Sequence, residues 1–205
     1  MDYLNIENRI NNLKINYLPN IESITKILFF FFIGILIKSL IEINSYGSIT
    51  WDETAQLSRT LNTIVEAIRS ITNNDQLLST TEAWEGFDPY GIITKIPATI
   101  VSFIFWYLKD SSLNITNFPE LFYYKISHIF SVIYCLATCW LLLDISKKLN
   151  FKNKWIAPLF LISSPVFTGH SLMNIKDIPY AFFYTFFTWI CIKLFKSREC
   201  DFSIF

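Results

Sequence analysis

Glycine is scarce: five in 205 residues, with only two methionines and two histidines. So few glycines leave no room for a Gly-rich loop that cradles a nucleotide's phosphates, and none is found. Net charge is missing too. Seventeen Lys and Arg balance seventeen Asp and Glu, which removes the electrostatic case for nucleic acid, since that asks for a basic face. Cysteine is thin and badly spaced for ligation. Cys135 and Cys139 lie one helical turn apart in an apolar run, and Cys191 and Cys200 have no Cys-x-x-Cys or His-x-x-His partner. These thiols read as packing, and no cofactor is expected, while the carboxylates leave a divalent metal open. There is no internal repeat and no low-complexity linker.

What the chain does have is apolar bulk. Fifty-two per cent of residues are hydrophobic, 18% aromatic, twenty are Phe, and mean hydropathy is +0.37. A soluble domain of this length has no interior large enough for that content. The charges are segregated from long apolar blocks. The expected class is therefore an integral membrane protein, all-α, a polytopic helical bundle.

Residues 1–22 are polar and Asn-rich and form a cytoplasmic N-terminal segment; residues 23–198 form the membrane domain. The first apolar block, Ile27–Ile43, rises roughly 26 Å as a helix, enough to cross. Its long polar lead and the lack of an A-x-A-like site after it argue against a cleaved signal peptide. Lys38 and Glu42 fall four apart on one face of this span, a snorkelling pair or the lining of a polar cavity. Further blocks are Ile92–Leu108, Leu121–Ile145, Trp155–Thr168 and Ile178–Phe195.

Positive charge sets the orientation. Ser146–Lys154 holds four lysines and Lys193–Arg198 three cations, and both belong on the cytoplasmic side. That works only if Ile92–Leu108, interrupted by Lys95 and Pro97, is re-entrant or interfacial. The result is about four spans, with a large outer loop from about 44 to 120 and a short one near Gly169–Lys176. Within the large loop, Trp51–Ile71 repeats apolar residues at three-to-four spacing, as in an amphipathic helix lying on the membrane surface. Pro97, lacking an N–H, is expected to break or start a helix.

Two acidic sites then meet at the outer face. Trp51-Asp52-Glu53 follows the first span, and Asn174-Ile175-Lys176-Asp177-Ile178-Pro179 joins the third and fourth. Acids where a helix leaves the bilayer also serve as plain boundary charges. Sharing a cleft, however, they suit general-base chemistry, and Lys176 suits an anionic head group.

The order of span, Asp-Glu, amphipathic outer loop and further spans resembles the GT-C membrane glycosyltransferases. So does the later stretch Ser164-Pro165, Gly169-His170-Ser171, Asn174, Lys176-Asp177 and Pro179. The likeness is to the bacterial group similar to dolichyl-phosphate-mannose protein mannosyltransferases. It covers roughly residues 20–198 and corresponds to the N-terminal part of such enzymes. It implies an inverting transfer of a sugar from a polyprenyl-phosphate-linked donor to a hydroxyl of a protein, glycan or lipid acceptor, at the outer face of a bacterial inner membrane. By that likeness Asp52 is the base, Glu53 stands beside it, and Asp177 is the second outer-loop acid. Lys176 and Asn174 lie near the donor phosphate, with His170 either a hydrogen-bond donor to it or a structural residue. The resemblance also implies further spans, supplied as a separate chain or lost by truncation after the short tail 199–205. The competing expectation is a non-enzymatic multi-pass protein, an accessory subunit or transporter fragment. Lys38, Glu42, Lys125 and His128 would then line a polar pathway.

Overall fold

The computed structural model describes residues 21–47, 57, 60, 92–109 and 119–199. These contain helices and no strand. In chain order they are α1 (Ile21–Tyr46), α2 (Ile92–Lys109), α3 (Glu120–Lys148), α4 (Ile156–Ser163), α5 (Pro165–Met173) and α6 (Asp177–Glu199). Three of them, α1, α3 and α6, are long and apolar enough to cross a membrane. The first is longer than the apolar block that announced it. α1 extends six residues earlier and three later, because polar Glu22, Thr25 and Asn44 all have partners at its ends.

The helix α3 is the axis of the protein: it packs against every other helix. Half of its apolar stretch is buried within the protein, against 11% for α1 and for α6. The reason lies in small side chains. Ser127, Ser131, Cys135 and Cys139 recur every four residues and are all buried, with Thr138 beside them. Residues i and i+4 stack on one helix face, so this face is a shallow trough into which neighbouring backbones settle closely. Phe29 and Leu36 of α1, Ile162 of α4 and Ile178 of α6 close the core over Val132, Cys135 and Cys139.

The termination of α3 is equally local. Asn150 takes a positive φ of 57°, a conformation Asn tolerates better than most residues. Its N–H reaches the Lys147 carbonyl (3.1 Å) and that of Phe151 reaches Ser146 (3.0 Å). This pair of bonds satisfies carbonyls that the helix end would otherwise orphan. The chain then turns and is tied to α1. Asn153 exchanges hydrogen bonds with Thr25 (3.0–3.2 Å) and accepts from the Trp155 N–H (3.1 Å). Glu22 pairs with Lys154 (3.0 Å), and Lys26 sits over the Trp155 ring (5.6 Å).

Two ends therefore differ in character. The start of α1, the end of α3, the α3–α4 turn and the last part of α6 share a basic end. The end of α1, the middle of α3 and the start of α6 form the opposite one. Helix α1 runs antiparallel to α3, and α6 runs parallel to it, with Phe182, Trp189 and Lys196 meeting Tyr134, Asp144 and Lys148 in turn.

Two expectations need correction. Trp155–Thr168 is not one straight helix followed by a loop. α4 and α5 meet at Ser164-Pro165 with a bend of 67°, and helix continues to Met173. Pro165 lacks the N–H that would continue α4 and suits the first position of a new helix, which Ser164 caps by accepting from the Phe167 N–H (3.4 Å). Gly169, His170 and Ser171 are thus helical, and only Asn174–Lys176 separates α5 from α6. The second correction concerns Pro97, which lies inside α2 without breaking it. Its missing N–H costs one hydrogen bond, toward Ile93, and the helix continues on either side.

α2 forms its hydrophobic cluster with the first three turns of α3. Ala98 and Trp106 bury against Tyr123 and Tyr124, with Leu57 in the same cluster, and Phe105 stacks on Phe122 at 4.0 Å between ring centres. Leu57 and Thr60 are both helical and buried, as an amphipathic segment there requires; the remainder of Trp51–Ile71 lies outside the described residues. Lys38 and Glu42 do pair, at 3.5 Å, on the exposed side of α1.

The trough makes a quantitative prediction. Cys135→Leu adds bulk where α1, α4 and α6 meet and should destabilise the protein by about 1–3 kcal/mol, read by thermal unfolding in detergent. Ile133→Ala, two residues away on the exposed face, should leave the midpoint unchanged.

Candidate functional site

The sequence motif 174–177 folds around one side chain. Asn174 ends α5 and begins α6: its N–H bonds the His170 carbonyl (2.7 Å), closing α5. Its side-chain Oδ1 accepts from the N–H groups of Lys176 (3.1 Å) and Asp177 (2.9 Å), both at the start of α6. A helix start leaves such donors unpaired, and Asn is among the best residues to take them. Ile175, Ile178 and Pro179 bury beneath this turn and hold it against the bundle.

With Oδ1 committed to backbone, the Asn174 amide nitrogen faces the other way. It donates to Asp177 Oδ2 (2.8 Å) and lies 3.0 Å from His170 Nδ1. An amide NH₂ only donates, so Nδ1 is the acceptor, and the ring proton of neutral His170 belongs on Nε2. His170 Nδ1 stands 3.7 Å from Asp177 Oδ2, and both side chains are about half exposed (48% and 54%). The outcome is a neutral donor, Nε2–H, and a carboxylate, both reachable from outside and both fixed by one amide. The acid also sits at the N-terminus of α6, where the helix dipole favours negative charge.

A buried layer supports this turn. Ser131 of α3 donates to the Asn174 carbonyl (3.3 Å). One turn earlier on α3, buried His128 meets Asn44 of α1 at 3.1 Å. Asn44 and Ser131 escaped the sequence reading because isolated polar residues in apolar helices give no motif. The only signal was His128 and Ser131, three apart on one face.

The structure thus brings together His170, Asn174, Lys176 and Asp177, four of the six residues picked out in the sequence. Asp52 and Glu53 lie outside the described residues. Lys176 is half-buried, and its backbone takes part through Asn174. Among the described residues, no group of three or more His, Cys, Asp and Glu is arranged to hold a metal ion. Cys135 and Cys139 are both buried in the core.

Comparison with known protein families, with curated proteins and with solved structures found no match.

Asn174→Ala should cost about 1–2 kcal/mol through the lost cap and release both His170 and Asp177. Asn174→Ser, which can still accept from backbone, should recover part of that stability in a thermal melt.

Proposed function

We propose that the chain is a membrane-embedded glycosyltransferase, or part of one, that moves a sugar from a polyprenyl-phosphate-linked donor to an acceptor hydroxyl. The observation that carries this reading is the Asn174 cluster. It sets a carboxylate and an imidazole N–H side by side, half exposed, at the end of the bundle opposite Lys148, Lys154 and Lys196. A lipid phosphate needs hydrogen-bond donors and a cation, which His170 Nε2–H and Lys176 supply. The acceptor hydroxyl needs a base within hydrogen-bond reach, on the far side of the sugar carbon from the leaving phosphate. That role goes to Asp52, with Glu53 beside it, and Asp177 positions the donor or acceptor.

The proposal includes a topology. The basic end faces the cytoplasm, and the Asn174 cluster faces outward. The broken pair α4–α5 completes a fourth crossing, and α2 lies along the outer interface. In favour of that place for α2 is its packing against Tyr123 and Tyr124 of α3, in a cluster apart from the one that α3 forms with α1, α4 and α6. With native cysteines replaced, a single cysteine at Asn73 or at Asn174 should label from outside and one at Asn150 should not. Thr94 and Asp110, flanking α2, should report the same side. Opposite-side labelling of that pair would place α2 across the membrane.

A second reading has one observation behind it. Broken helices line the substrate path of many transporters, and the α4–α5 break falls about 12 Å from the basic end, given 1.5 Å per residue. Against it, the break satisfies its own backbone. Ser164 N–H bonds Leu161, Thr168 N–H bonds Ser164, and the Ser164 hydroxyl takes the Phe167 N–H. A transporter would turn such groups toward an ion or substrate.

Activity decides between them. In membranes supplied with polyprenyl-phosphate sugar and any companion chain, Asp52→Asn should abolish sugar transfer while insertion is spared. Asp177→Asn should reduce it less. Undiminished transfer by Asp52→Asn would sink the catalytic assignment.

A further inference from the structure

The basic end carries a feature that sugar transfer does not use and on which that reading has no bearing. Lys147 and Lys148 end α3, and Lys193 and Lys196 lie beside them near the end of α6. Lys196 Nζ donates to the Lys148 carbonyl, so the two helix ends are in contact. Among the described side chains the carboxylate in this seam is Asp144, and it is already engaged. It accepts from the Trp189 indole N–H (2.7 Å) and pairs with Lys148 (3.3 Å). Among the described side chains the seam sets four lysines against this one acid, and Lys193 and Lys196 are both exposed.

From this cationic end an aromatic ladder descends along α6. Lys193 Nζ lies over the Trp189 ring (5.1 Å). Trp189 stacks on Phe186 (5.8 Å, 18° between planes), and Phe186 stacks on Phe182 (6.0 Å, 15°). Phe182 meets Tyr134 of α3 at 5.3 Å. Asp144 fixes the top rung through the indole N–H. The ladder runs parallel to the helix axis for about seven residues, roughly 10 Å, and Phe183 and Phe186 remain partly exposed along it.

We propose that the α3–α6 seam binds an anionic membrane phospholipid, its phosphate held between Lys193 and Lys196 and its acyl chain laid along Trp189, Phe186 and Phe182. The chemistry asks for this combination. Lysines near a membrane surface attract anionic head groups, while a flat, apolar ladder beneath them matches a hydrocarbon chain and offers a soluble phosphate nothing. A bilayer chain descends from its head group in the same direction as the rungs.

The test uses the full chain purified in detergent and incubated with equal amounts of phosphatidylglycerol and phosphatidylcholine of matched chains. Retained lipid is counted by native mass spectrometry. Phosphatidylglycerol should be retained in preference by about tenfold, and Lys193→Gln/Lys196→Gln should bring the two lipids to parity, as the loss of two surface lysines predicts. Lys152→Gln, another exposed lysine of the same end outside the seam, should keep the preference. Phe186→Ala leaves every charge in place and should lower retention of phosphatidylglycerol. An excess of glycerol phosphate should not displace the bound lipid. Parity in the unmodified protein, an equal loss in Lys152→Gln, or displacement by glycerol phosphate would each overturn the proposal.

Discussion

Close approach to α3 is the constraint on which the rest of the protein rests. In water, burial of apolar surface would drive the helices together, but beside lipid tails that force is nearly absent. What remains is contact area and hydrogen bonding, and both need backbones to come near. Serine and cysteine every fourth residue allow that. The same choice dictates where polar groups appear in the core. Ser131 can reach the Asn174 carbonyl only because nothing larger than a hydroxyl stands between α3 and the α5–α6 turn.

The site inherits its geometry from that turn. Asn174 performs two structural tasks with its oxygen and its N–H, and the remaining amide hydrogens orient His170 and Asp177. Chemistry and fold are therefore coupled through one residue. A substitution there cannot be read as purely catalytic or purely structural, whereas Asp177, which only receives from Asn174 through its side chain, separates the two.

Much of this was legible beforehand, and the misses have physical causes. The three long apolar blocks became α1, α3 and α6, since length and hydropathy alone decide such helices. The sharing of one end by Glu22, Lys26, Lys148, Lys154 and Lys196 followed from segregated lysines. The break at Ser164-Pro165 was hidden because Ile156–Ser163 and Pro165–Met173 are both apolar, so hydropathy runs straight through it; only the cap-and-proline pair marked it. Pro97 misled in the opposite sense, since a single lost hydrogen bond does not stop an 18-residue helix with a packed face. Of the candidate site, Lys176 and Asp177 were picked out by residue type, and His170 and Asn174 by the resemblance. Nothing in the spacing announced that the asparagine would be the hub.

The bond between Asp144 and Trp189 has a consequence for biogenesis. α6 is the least apolar of the three long helices, with a mean hydropathy of 1.4 against 2.2 for α1 and 1.9 for α3. Of the three it has the weakest drive of its own toward a bilayer, and it brings an indole N–H to satisfy. α3 precedes it in the chain and carries the acceptor. A crossing by α6 would therefore be favoured by α3 already in place, which couples the insertion of the two.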